Sequence, residues 1–104
     1  MTKSELFKRL NDIHISKVYV MFSYENKEIS IISNVIIMQD QSYVVDWGDD
    51  VYSDKSYIVE PIYKYDFQNY DSVDGLLTWD VLKNKVIISG EKKIVTLEKF
   101  SEEV

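Results

Sequence analysis

Near the start of the chain, Leu6, Phe7, Leu10 and Ile13 recur at helical spacing and form one apolar stripe, with Lys3, Lys8, Arg9 and Asp12 on the wet side. Thr2-Lys3-Ser4-Glu5 precedes them and satisfies the capping-box pattern, in which a hydroxyl accepts from an N–H of the first turn and the carboxylate reaches back. A short helix ending near Asn11 to His14 is predicted. From Ile15 the period changes to two: Val18, Val20, Phe22 and Tyr24 share one face, and β-branched and aromatic residues dominate. Asn26-Lys27 then reads as a two-residue hairpin turn into a long second strand, Glu28 to Met38. That turn sets Tyr24 opposite Ile29, Phe22 opposite Ile31, Val20 opposite Ser33 and Val18 opposite Val35. The run Val35-Ile36-Ile37-Met38 is apolar on both faces, so that end of the strand is expected to be covered on two sides.

Asp40-Gln41-Ser42 reads as a turn into a third strand, Tyr43 to Trp47, which Gly48-Asp49-Asp50 breaks. Tyr57 to Tyr65 reads as a fourth strand; Pro61, which cannot donate to a ladder, makes it an edge strand or a bulged one. The stretch from Phe67 to Asp74 is irregular. Leu76 to Leu82 fits two descriptions, a helix capped by Ser72 or Asp74 and a strand in which Leu77, Trp79 and Val81 alternate, so a further short helix near 74–83 stays open. Lys85 to Ser89 and Lys93 to Leu97 read as a terminal hairpin closed by Gly90-Glu91, with Ser101 to Val104 fraying. The pattern as a whole predicts an α+β fold: a short N-terminal helix followed by a mainly antiparallel, meander-rich sheet of about five or six strands.

With 104 residues, 45% of them hydrophobic, the chain suits a single globular domain, 1–104, built around one core. Zero Cys removes disulfides, thiolate nucleophiles and Cys-bearing zinc sites, so packing alone holds the fold and reducing cytoplasm is the expected compartment. Neither a basic segment leading into an apolar run nor a stretch approaching ~18 apolar residues occurs, so no secretion signal and no membrane contact is expected.

The formal charge of −6 is segregated. Between Asp40 and Asp80, ten acids face only Lys55 and Lys64, which sets that 41-residue window at −8, while the remaining 63 residues come to +2. The same window holds nine of the fourteen aromatics, interleaved with the acids. Such aromatic content argues against a disordered acidic tail.

Few residues suggest chemistry. His14 is the sole histidine, and general-base work needs an orienting partner and a nucleophile that the sequence does not place beside it. Asp46-x-x-Asp49-Asp50-x-x-x-Asp54 concentrates carboxylates suited to hard cations, yet it fails the Ca²⁺-loop spacing, with Gly48 at the third position and Tyr57 at the twelfth. Asp80 followed by Glu91-Lys92-Lys93 mimics the carboxylate and lysine layout of metal-dependent nucleases, but Glu91 falls in the predicted turn and the acidic window repels nucleic acid. Gly48, Gly75 and Gly90 stand alone, so no phosphate cradle is predicted; neither cofactor nor metal is expected.

The acidic and aromatic window remains. A solvated loop surface accounts for it simply, since Asp is common in turns and carboxylates keep a small domain soluble. The functional reading is a binding surface: Tyr and Trp anchor interfaces, and carboxylates complement a basic partner. Asp46, Trp47, Asp49, Asp50, Tyr52 and Asp54 form one expected patch, and Asp66, Tyr70, Asp71 and Asp74 a second. Basic partners are most often nucleic-acid-binding proteins, whose groove carboxylates at phosphate-like spacing would block. In size, charge and composition the chain resembles small acidic inhibitors of phages and mobile elements, such as anti-CRISPR and anti-restriction proteins, and bacterial immunity proteins. The resemblance implies a non-enzymatic, DNA-mimicking inhibitor that binds a protein and no nucleic acid directly. An immunity protein or antitoxin against one basic toxin, a small carboxylate-metal enzyme and an assembly subunit pairing through Val35 to Met38 are the alternatives.

Overall fold

A computed structural model describes residues 1–104 apart from Val95, and describes Asp49 and Asp50 by their backbone alone. The fold is α+β: an N-terminal helix, a six-stranded antiparallel sheet and a second helical segment.

Helix α1 (Lys3–Asp12) starts as its cap dictates: the Thr2 hydroxyl oxygen accepts from the Glu5 N–H at 3.1 Å, and the hydroxyl donates to the Glu5 carboxylate at 3.0 Å. It ends where His14 takes a left-handed φ of 64° and donates its N–H to the Asn11 carbonyl. Leu6, Phe7 and Leu10 are buried. Strands β1 (Ile15–Glu25) and β2 (Glu28–Met38) form the predicted hairpin, with both turn residues, Asn26 and Lys27, at positive φ, the geometry that matches strand twist.

The hairpin register agrees with expectation up to Phe22 opposite Ile31 and then slips. Ile32 is bulged, so Val20 pairs with Asn34 and Val18 with Ile36, not with Ser33 and Val35. The extra residue turns Ile36 into the core and Val35 outward, which a strictly alternating register cannot do.

Strand β3 (Tyr43–Val45) pairs with only three residues of β2. The chain then leaves the sheet through α2 (Gly48–Tyr52) and α3 (Lys55–Lys64) and returns as β4 (Ser72–Asp80) beside β1. The segment expected to be a Pro-interrupted strand is therefore a helix, and the ambiguous segment after Asp74 is strand β4. Burial explains both. As a strand, Ile58 and Ile62 would share a face with Glu60 and Lys64; as a helix they stack one turn apart and are fully buried, with Pro61 near the last turn, where little helix remains to disrupt. Trp79 and Leu77 lie on the core face of β4, and the Trp79 indole N–H donates to the Ile58 carbonyl at 2.8 Å, tying sheet to helix.

Strand β5 (Lys85–Lys93) runs straight through Gly90-Glu91, where a turn was expected, and pairs antiparallel with β6 (Leu97–Glu103); the expected second strand, 93–97, includes Val95, which lies outside the described residues. Gly90 (φ 146°) pairs with Gly75, and a Cβ there would strike the Asp74 carbonyl, so this glycine marks close backbone approach and not a turn. The expected fraying end is also ordered: Ser101 to Glu103 belong to β6, and the Val104 N–H donates to the Val86 carbonyl at 2.8 Å.

The sheet order is β3-β2-β1-β4-β5-β6. Helices α1 and α3 cover one half of its core face, and Tyr65, Phe67 and Tyr70, which follow α3, cover the rest by packing on Phe22, Tyr24 and Phe100 of the sheet. The other face is open. Among the described residues nothing in this chain covers Val35 and Ile37, which were expected to be enclosed on both sides.

Candidate partner-binding surface

Acids in the 40–80 window are held by the turns they make. The Asp40 carboxylate accepts from the Ser42 N–H and hydroxyl, which holds it below the ordinary 3.8. Asp46, at a left-handed φ of 71°, accepts from the Trp47 N–H at 2.9 Å, and Asp66 accepts from the Gln68 N–H at 2.9 Å. Each side chain replaces a water in satisfying local backbone and thereby fixes its own direction.

The first expected patch divides. Asp46 and Tyr52 are exposed, and the Lys55 ammonium sits 4.3 Å from the Tyr52 ring centre. Trp47 is half-buried against one edge of the core, where it lines a small cavity with Ile13, Ile36, Val44 and Val51. Asp54 is 4% exposed and receives Arg9 of α1 through Nη2 at 3.0 Å and Nε at 3.2 Å, so it joins two helical segments and faces no solvent. The side chains of Asp49 and Asp50 lie outside the described residues.

In the second patch Asp66, Asp71 and Asp74 are exposed, while Tyr70 packs on Phe67 and Phe100 beneath Lys92, which donates to its hydroxyl at 3.2 Å. Asp74 stands on the open face of β4 between Ser23 and Glu91. The two patches are distinct: the Asp46 N–H bonds to Asn34 on β2 and the Asp71 N–H to Lys93 on β5, three inter-strand steps and about five register positions apart, or roughly 22 Å. One partner of standard interface size can span that distance.

Two ion pairs occur among the described residues, Arg9–Asp54 and Lys64–Glu60, so Asp46, Asp66, Asp71 and Asp74 carry unneutralised charge. No group of three acid or histidine side chains among the described residues converges as a metal site would require. His14 is exposed at the end of α1. A groove of about 410 Å³ lies between α1 and α3 over Trp79, but its rim lysines are engaged, Lys3 with the Val104 carbonyl and Lys64 with Glu60. Beside it burial, reinforced by Glu102 and Tyr70, pushes the Tyr65 phenol far above its ordinary range and keeps it a neutral donor. No described helix is long and apolar enough to cross a membrane.

The sequence reading missed the open face of the sheet. Its signal was present in the second parity of the strands, Tyr19 and Met21 beside Val18, Val20 and Phe22. Comparison with known proteins finds no match among family models, curated proteins or solved structures.

Proposed function

We propose that this chain is a non-enzymatic, protein-binding inhibitor whose carboxylates occupy the cationic groove of a basic, nucleic-acid-handling partner. The observation that supports this reading is the state of the acids: Asp46, Asp66 and Asp71 are exposed and outside the ion pairs of the described residues, and two of them are fixed by hydrogen bonds to neighbouring backbone. Lysines and arginines spaced for phosphates accept fixed carboxylates in their place, and preorganised acceptors lose less entropy on binding than mobile ones. The −8 window also raises the encounter rate with a positive partner and repels nucleic acid itself. Such an activity belongs in a cytoplasm where phage or mobile-element proteins of anti-CRISPR or anti-restriction type meet host defences.

The test is a low-salt pull-down from host lysate with a salt-step elution, run beside the triple variant Asp46→Lys, Asp66→Lys, Asp71→Lys. The native chain should retain a basic protein that duplex DNA displaces, and the folded variant should retain none. Capture of the same partner by both at equal salt defeats the proposal.

A further inference from the structure

The sheet buries one face against the helices and leaves the other open, and the open face is not an ordinary wet surface. Two adjacent rows of side chains cross it without a charge from β2 to β5. One row joins Val35, Tyr19, Thr78 and Ile87, and Val45 of β3 extends it. The next joins Ser33, Met21, Leu76 and Ser89. The bulged Ile32 and the edge residue Tyr43 widen the band; Tyr43 is 68%, Val45 65%, Ile32 60% and Met21 48% exposed. These four alone present on the order of 400 Å² of apolar surface, a size that marks interaction sites.

Charges bracket this band and differ in sign at its two ends. Beyond the Tyr19 row lie Lys17, Asp80 and Lys85 in register, a net +1; beyond the Met21 row lie Asp74, Glu91 and Lys99, a net −1. A two-fold axis lying across the strands would set each strand of one copy on the same strand of another, so that the neutral rows meet, Lys85 lies over Glu91 and Lys17 over Ser23, with Asp80 over Asp74 the one like-charge pair. The area suits such a contact. Six strands ~4.8 Å apart, from three to eleven residues long and averaging about eight, give roughly 750 Å², close to the ~800 Å² per partner of a stable interface.

We propose that the open face of this sheet is a homodimer interface, in which two copies stack sheet on sheet about a two-fold axis to complete a β-sandwich core. This goes beyond the inhibitor reading and does not depend on it. Sedimentation equilibrium of the full chain, from ~1 to ~200 µM at physiological salt, should give about 25 kDa, twice the 12.3 kDa of one chain. A mass of one chain across that range overturns the proposal. Met21→Lys combined with Val35→Lys, with native circular dichroism, should weaken the dimer at least ~100-fold, and an undiminished dimer overturns the assigned face. Should that pair fail to fold, Met21→Cys in this cysteine-free chain provides the second measurement. A short bismaleimide matching the ~10 Å sheet spacing should then link two copies, while Lys8→Cys, exposed on α1, should stay unlinked; the reverse pattern overturns the proposal.

Discussion

Replacing Arg9 by Met tests whether Asp54 belongs to the fold or to the surface. The Asp54 carboxylate is 4% exposed, and among the described residues Arg9 supplies both of its side-chain hydrogen bonds. Removing one partner of a fully buried pair costs about 3–5 kcal/mol, because the remaining charge is left desolvated. Arg9 is itself 53% exposed, so solvent screens part of the attraction and water can follow the lost guanidinium; the expected cost is about 2–3 kcal/mol. At roughly 4 °C per kcal/mol for a chain of this length, the melting temperature should fall by about 8–12 °C. Urea unfolding of Arg9→Met, Asp54→Asn and the double variant at constant m-value closes the cycle. Asp54→Asn in the Arg9→Met background should recover at least ~1 kcal/mol by removing the uncompensated charge. A loss below ~0.5 kcal/mol for Arg9→Met, or additive effects in the cycle, refutes the argument that this pair holds α1 to the start of α3.

Gly75→Ala should cost about 1–3 kcal/mol in the same assay, because its Cβ would enter the ring of Phe22, which is 1% exposed and has no room to withdraw. Ser42→Ala should raise the Asp40 pKa toward its ordinary 3.8, read by carboxyl NMR titration. In the native chain the lowered Asp40 pKa favours folding above pH 3.8 and that contribution fades as pH falls through the folded-state value, so the variant should lose less stability on acidification to pH 3.

Local chemistry was legible in the sequence, and non-local geometry was not. The Thr2 cap and the Asn26-Lys27 turn are decided by residues within a few positions of one another, and both formed as read. The segment from Lys55 to Lys64 misled because its Tyr, Ile and Val content favours strand, while the helix is decided by Ile58 and Ile62 burying against β4. The bulge hid behind Ile31-Ile32, two apolar neighbours that satisfy either register. Exposed acids in turns could be anticipated from Asp and its neighbours, but the partner that removes Asp54 from the surface lies 45 positions away in sequence. The two-sided apolar character of Val35 to Met38 predicted cover on both faces, and only Ile36 and Met38 receive it from this chain among the described residues, because composition cannot say which elements return to a given face.

Asp74 is the residue on which the two proposals diverge. Part of the acidic window by sequence, it stands on the open face of β4 beside Glu91, whereas Asp66 and Asp71 belong to the loop that leads into that strand. In a stacked dimer Asp74 falls opposite Asp80 of the second copy, and the helical layer of each copy turns outward. The dimer would then carry a formal charge of −12, twice the −6 of one chain, with two sets of loop acids available to a partner. Asp74→Lys should therefore strengthen self-association, by turning that like-charge contact into an opposite one, and leave capture of a basic protein through each remaining acidic patch, while reversal at Asp66 and Asp71 should abolish capture and leave the dimer. If Asp74→Lys abolishes capture and leaves the affinity of the dimer unchanged, the acids of this window act as one surface and the sheet face has a different occupant.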